Sequence, residues 1–178
     1  MAKKLLAVVL TGVMAVSMLT GCALSDKVKA NALEDALNMK QVQSKTDKQE
    51  LDIKYDHKSS LDSKAEKLWT LTATNENNSV ALNKTPNVTT ELTAAKINGK
   101  DCFYWMVEAP KNAEAKKTAE WVKKAEVLHG KVNASTDVKK DAISGKTTKK
   151  VEFGTAFVSK TVGDTTTNYV IVVFEKKA

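Results

Sequence analysis

The sequence predicts an α+β fold: an antiparallel sheet of about five to seven strands carrying one or two helices, behind a further N-terminal helix. Three observations predict it. Apolar residues alternate with polar ones in several short stretches, the period of a half-buried strand. Asn98-Gly99 sits between two such stretches, and both residues of this dipeptide suit the positive φ that a type I′ hairpin turn needs. One long stretch instead repeats its apolar residues at the helical period.

Taken in chain order, the elements are as follows. Ser25 and Asp26 are helix-start residues, and Val28, Ala32, Leu33, Ala36 and Leu37 then recur at helical spacing. This helix has two competing roles, packing on the domain or standing as a spacer. The polar run from Ser44 to Glu50 breaks the chain before the globular part. Leu51, Ile53 and Tyr55 alternate with polar neighbours and predict a strand, and Trp69, Leu71 and Ala73 predict another, turning through a polar loop into Val80-Ala81-Leu82. The Asn98-Gly99 hairpin leads into Cys102–Val107, whose unbroken apolarity predicts a central strand covered on both faces. Asn112 is the expected cap of a helix with Ala115, Ala119, Trp121, Val122, Ala125 and Leu128 on one face, and Gly130 its expected end. The stretch from Ser135 to Gly145 suggests a short helical turn. Two long strands, joined through Gly163-Asp164, close the chain. This order is similar to that of small sheet-plus-helix modules of the PsbP/Mog1-like, cystatin-like and PepSY-like groups, as an analogy of architecture that names no function.

The first residues carry an address. Lys3 and Lys4 precede the mostly apolar run Leu5–Met18, and small residues lead to Cys22, the pattern of a secretory signal peptide. The apolar run is short for a bilayer span, which takes about 20 residues. Leu19-Thr20-Gly21-Cys22 resembles the lipobox of bacterial lipoproteins. The resemblance implies cleavage before Cys22 and a diacylglyceryl lipid on its sulfur, so that Cys22 is the lipidation site and the membrane a partner. It covers about the first 22 residues and leaves the domain unassigned. Ala23 stands where an Asp would resemble an inner-membrane retention signal. The expected location is extracytoplasmic, on an outer membrane if the cell has one and otherwise on the outer face of the cell membrane. The expected organisation is a signal peptide over 1–21, an anchor and helical linker over 22–48, and one domain over 49–178.

Loss of residues 1–21 leaves a domain-sized chain and removes two lysines, so that 26 lysines face 21 acids. All 28 basic residues are lysine. Bidentate phosphate recognition favours arginine, and these lysines are spread along the chain rather than clustered, which argues against nucleic-acid binding. With Cys22 acylated, Cys102 has no disulfide partner, and its apolar setting predicts a small buried hydrophobe.

No catalytic constellation stands out, and no cofactor or metal ligand set is expected. The two histidines, His57 at a strand end and His129 near a helix end, lack metal-ligand spacing with each other or with Cys102. Ser144–Thr148 imitates a phosphate loop but has Lys140 where the motif needs glycine. Phe103, Tyr104 and Trp105 alternate faces on their strand and read first as core. Tyr104, Trp105 and Trp69 are the residues that would make a shallow ligand surface if one sheet face were uncovered. Two classes of function follow: a non-enzymatic binding or accessory module of the envelope, or an envelope hydrolase with scattered residues. The first predicts an exposed patch or pocket. The second predicts a concave site holding His57 or His129 beside a hydroxyl and a carboxylate. A third reading, weak binding of anionic wall polymer by the lysines, predicts an interaction that fades with salt.

Overall fold

The computed structural model describes residues 25–43, 52–70, 73–75, 78–84, 86 and 88–178. Cys22 with its leader, and the polar break from Ser44 to Glu50, lie outside the described residues. The elements are α1 (25–37), α2 (Lys40–Gln43), β1 (Ile53–His57), α3 (Ser59–Thr70), β2 (Ala73–Asn75), β3 (Asn78–Val80), β4 (Thr93–Ile97), β5 (Lys100–Glu108), α4 (Ala119–Ala134), β6 (Asp141–Ala142), β7 (Lys149–Val162) and β8 (Thr165–Glu175). The fold is α+β, as the sequence predicts. Eight strands form one sheet in the order β1-β7-β8-β5-β4-β2-β3, with β6 beside the start of β7. Every pair is antiparallel except β1–β7, so the sheet is mixed.

Both sheet faces are covered, which makes three layers. On one face α1 and α4 bury Leu33, Leu37, Trp121 and Leu128 against Trp105, Phe153 and Phe174. On the other, α3 buries Ala65 and Leu68 against Tyr104, Ile171 and Val173. The two faces arise from strand alternation in β5 and β8, whose residues are buried on both sides. Helix α1 is therefore part of the core rather than a spacer, with Ala32, Leu33, Ala36 and Leu37 fully buried.

The hairpins follow their turn chemistry. Asn98 and Gly99 have φ of 51° and 76°, and Gly163 has φ of 59°. Gly154 serves a different purpose, close approach. A Cβ there would lie 2.4 Å from the Leu61 carbonyl carbon, so only glycine lets α3 sit this close to β7.

Four local expectations need correction. Residues 59–70 form a helix that runs through Trp69, where strand alternation was expected; the stripe Leu61, Ala65, Leu68 at helical spacing decides it, and the strand begins only at Ala73. Helix α4 begins at Ala119, not near Asn112, because Lys117 is left-handed and the Thr118 hydroxyl accepts the Trp121 amide at 3.2 Å. It also passes through Gly130 to Ala134. A mid-helix glycine costs about 1 kcal/mol, but continuing buries Val132 on the Trp121–Ala125–Leu128 stripe, worth about 2 kcal/mol. Finally, the stretch after Ser135 is not helical: Val138 bridges to Lys176, and Asp141–Ala142 pairs with β7.

Candidate functional site

The aromatic residues singled out in the sequence do not share a surface. Tyr104 and Trp105 are adjacent on β5, so they point to opposite faces and are buried in separate cores. Trp69 is half-buried on the α3 side, its ring 6.1 Å from that of Tyr169. The ligand surface of Tyr104, Trp105 and Trp69 is thus corrected to core packing, because helices cover both faces. Cys102 is buried and its Sγ donates to the Ala95 carbonyl; burial pushes its thiol up to about 11, which keeps it a thiol. His129 is buried too, with Nδ1 3.0 Å from the Tyr55 hydroxyl, and burial holds its pKa below the ordinary imidazole value.

His57 has a different setting, which the edges of the sheet explain. Strand β1 is an edge strand whose outward main-chain groups are met one after another by side chains from the α1–α2 segment. The Gln43 amide accepts the Ile53 N–H and donates to the Ile53 carbonyl. The Asn38 amide does the same for Tyr55, at 2.9 Å in both directions. The Glu34 carboxylate faces the next outward amide, that of His57, which acts to lower its pKa. Side chains of the α1–α2 segment thereby stand in for a missing strand, Gln43 and Asn38 by hydrogen bonds and Glu34 beside the His57 amide.

Strand β1 is short, and its pairing with β7 ends at His57↔Phe153. Just beyond, Asp62 from the first turn of α3 accepts the Thr155 amide at 2.7 Å, and the same oxygen lies 2.8 Å from His57 Nε2. After Thr155 no strand among the described residues pairs with β7 on this side. The Phe153 carbonyl accepts from Lys58, so odd-numbered residues of β7 aim their main chain away from β8. Phe157, Ser159 and Thr161 therefore present outward N–H and C=O groups along an open edge.

This edge forms the floor of a groove between α1 and α3. A cavity of about 500 Å³ is lined by β7 from Thr155 to Val158, by Lys27 and Glu34 of α1 and by Ser59, Asp62 and Glu66 of α3, with His57 at its end. A second cavity of about 410 Å³ shares Asp26, Phe157 and Val158 with the first and continues toward Ser159. The lining is net acidic, and more so on α3: Asp62 and Glu66 have no lysine beside them in the lining, whereas Asp26 and Glu34 of α1 stand with Lys27 and with Lys29, which pairs with Asp26. Glu34 is half-buried and desolvation raises its pKa, opposed by the His57 amide. Lys29 is spoken for, 3.1 Å from Asp26 and 5.4 Å above the Phe157 ring.

Elsewhere some lysines are engaged by carboxylates or main-chain carbonyls. Lys58 and Lys150 bridge Asp56 and Glu152 across β1 and β7, and the Lys140 ammonium donates to the carbonyls of Asn133 and Ser135 at the end of α4. Among the described residues no three His, Cys, Asp or Glu side chains cluster in a way that could hold a metal ion, and no helix is long and apolar enough to cross a membrane. No family model, curated protein or solved structure matches this chain.

Proposed function

We propose that this protein is a lipid-anchored, extracytoplasmic binding module that holds a partner or small ligand in the groove between α1 and α3. The observation that carries it is the groove itself, a cavity of about 500 Å³ floored by a strand edge that no other strand pairs with among the described residues. The lipobox-like Leu19-Thr20-Gly21-Cys22 supports the address. A diacylglyceryl Cys22 brings two chains, enough for stable anchoring. Asp26, on the groove wall, lies four residues from Cys22, a reach of about 14 Å at most. The anchor thus keeps the groove close to the membrane surface.

The test is a native mass of the protein extracted from its own membrane, beside its denatured mass and beside Asn31→Trp, which fills the groove from α1. Extra mass that denaturation removes, and that Asn31→Trp lacks, supports the proposal. The same bound mass on both proteins overturns the groove as its site. For the anchor, Cys22→Ala should release the protein into the soluble fraction or leave an uncleaved precursor, and a variant that stays acylated removes that part.

One observation favours a second reading. His57, Asp62 and Ser59 line one groove, which gives a histidine, a carboxylate and a hydroxyl in a concave site. Asp62 is already bound to the Thr155 amide, and among the described residues no hydroxyl hydrogen-bonds to His57. Binding is therefore preferred. Ester hydrolysis by the wild type that His57→Gln abolishes would reverse that preference.

A further inference from the structure

The open edge of β7 also specifies what kind of ligand the groove takes. We propose that it accepts an extended, basic peptide segment of a partner protein as an added strand; this rests on the groove being the binding site and does not require the lipid. Asp62 already holds the Thr155 N–H, so the first outward amide without a strand partner among the described residues is that of Phe157. Phe157, Ser159 and Thr161 then repeat every second residue, the spacing at which an added strand exchanges main-chain hydrogen bonds. The cavity between α1 and α3 gives the strand room beside Phe157, while the second cavity lies over β7 and β8 toward the loop 109–114.

Side chains of an added strand alternate between the two faces of the sheet. On one face they meet α1, with Asp26 and Glu34; on the other they meet α3, with Asp62 and Glu66. The α3 wall carries Asp62 and Glu66 with no lysine in the lining, whereas on α1 Lys27 and Lys29 stand beside Asp26 and Glu34, so lysine or arginine on the incoming strand is favoured chiefly where it faces α3. The rest of the chain is basic, which makes this groove an exception to the surface around it. A second copy of the chain fits poorly. Edge-to-edge pairing would set two grooves of net acidic lining against each other and would need a recessed edge to enter another recess.

The experiment uses the full chain and a synthetic peptide of alternating Lys and Val, about eight residues long, at low ionic strength. Controls are an alternating Glu and Val peptide and a Lys–Val peptide with every second amide N-methylated. Saturating Lys–Val peptide should slow hydrogen exchange of the Phe157, Ser159 and Thr161 amides by about tenfold or more. Ser159→Pro, which removes the central outward N–H, should weaken binding by about tenfold, and Glu34→Gln and Glu66→Gln by less. Binding with no change at these three amides, or undiminished binding by Ser159→Pro or by the N-methylated peptide, overturns the proposal. So does protection of the same amides, without peptide, that grows with protein concentration, since a second copy would then occupy the edge. If no peptide binds while native mass still shows a ligand absent from Asn31→Trp, the added strand falls and the groove remains the binding site.

Discussion

The two exposed stretches of sheet edge on this side of the molecule are treated in opposite ways. Along β1, Gln43, Asn38 and Glu34 meet the outward groups of Ile53, Tyr55 and His57 in turn. Along β7 beyond Phe153, one carboxylate, Asp62, meets one amide, and the next three outward residues have no strand beside them among the described residues. An unguarded edge is an aggregation hazard, and proteins ordinarily cover or charge it. The same chain closes one edge with side chains and, among the described residues, leaves its continuation without a partner beside the acidic α3 wall. The boundary between the two treatments lies at His57 and Asp62.

The most damaging way to break the comparison is at that boundary. Gly154→Ala would force a Cβ to within 2.5 Å of the Leu61 Cβ and closer still to its carbonyl carbon. Neither atom is the loose end of a side chain, so α3 must move away from β7 and carry Asp62 with it. The expected loss is about 3 kcal/mol of unfolding free energy, read from urea denaturation. An unchanged midpoint would mean that α3 does not press on β7.

Next is the closed edge. Asn38→Leu removes both bonds to Tyr55 and leaves a buried N–H and C=O without partners, at a cost of about 2 kcal/mol. The variant should also associate as its concentration rises, because the edge is now a template for pairing. Sedimentation velocity checks the second effect. A destabilised but strictly monomeric variant would show that other groups still guard the strand.

Much of this architecture can be read from the sequence, and the parts that cannot share a physical cause. Asn98-Gly99 needs no tertiary information, because the turn is decided by φ preference, and the long alternating stretches around Gly163-Asp164 pair with their nearest neighbour. Helix α3 reads poorly because its stripe is only Leu61, Ala65 and Leu68 among polar residues, and Trp69, Leu71 and Ala73 imitate a strand across its end. The groove is not legible at all. Gln43, Asn38 and Glu34 look like ordinary polar residues of a helix or the turn after it until β1 is laid against them. Nothing in the alternation from Lys149 to Lys160 says that pairing stops at Phe153. That limit comes from the five-residue length of β1 and the parallel crossover that places it.

A smaller effect separates the buried histidine behind the closed edge from the groove. Burial lowers the His129 pKa, so the folded state binds fewer protons than the unfolded chain. Its contribution to stability is present above the ordinary imidazole value of about 6.5 and is lost as pH falls through the lower folded value. Glu34 has the opposite sign: with its pKa raised, the folded state holds the proton longer, and stability declines as pH rises through the window above the ordinary carboxylate value. Denaturant midpoints across pH should therefore show less loss on acidification in His129→Phe, and less loss on rising through the carboxylate window in Glu34→Gln. A profile in His129→Phe that matches the wild type would place the acid sensitivity elsewhere.

The smallest effect is the most discriminating. Ser159 and Lys160 are neighbours on β7, but their amides point to opposite sides. The Ser159 N–H points out over the open edge, whereas the Lys160–Thr167 pair lies in register for ladder bonds with β8. Proline at the open side removes a hydrogen bond that the free protein does not make, and an edge position tolerates its fixed φ. Ser159→Pro should thus change stability by no more than about 0.5 kcal/mol. Lys160→Pro serves as its control and should cost about 2 kcal/mol, since it breaks the ladder and also removes the ammonium that closes the Asn83 carbonyl. Equal losses for the two would mean that β7 is paired on both sides, and the open edge, with everything built on it, would be gone. A neutral Ser159→Pro beside a damaging Lys160→Pro leaves a strand edge that folding does not need, free to be completed by something else.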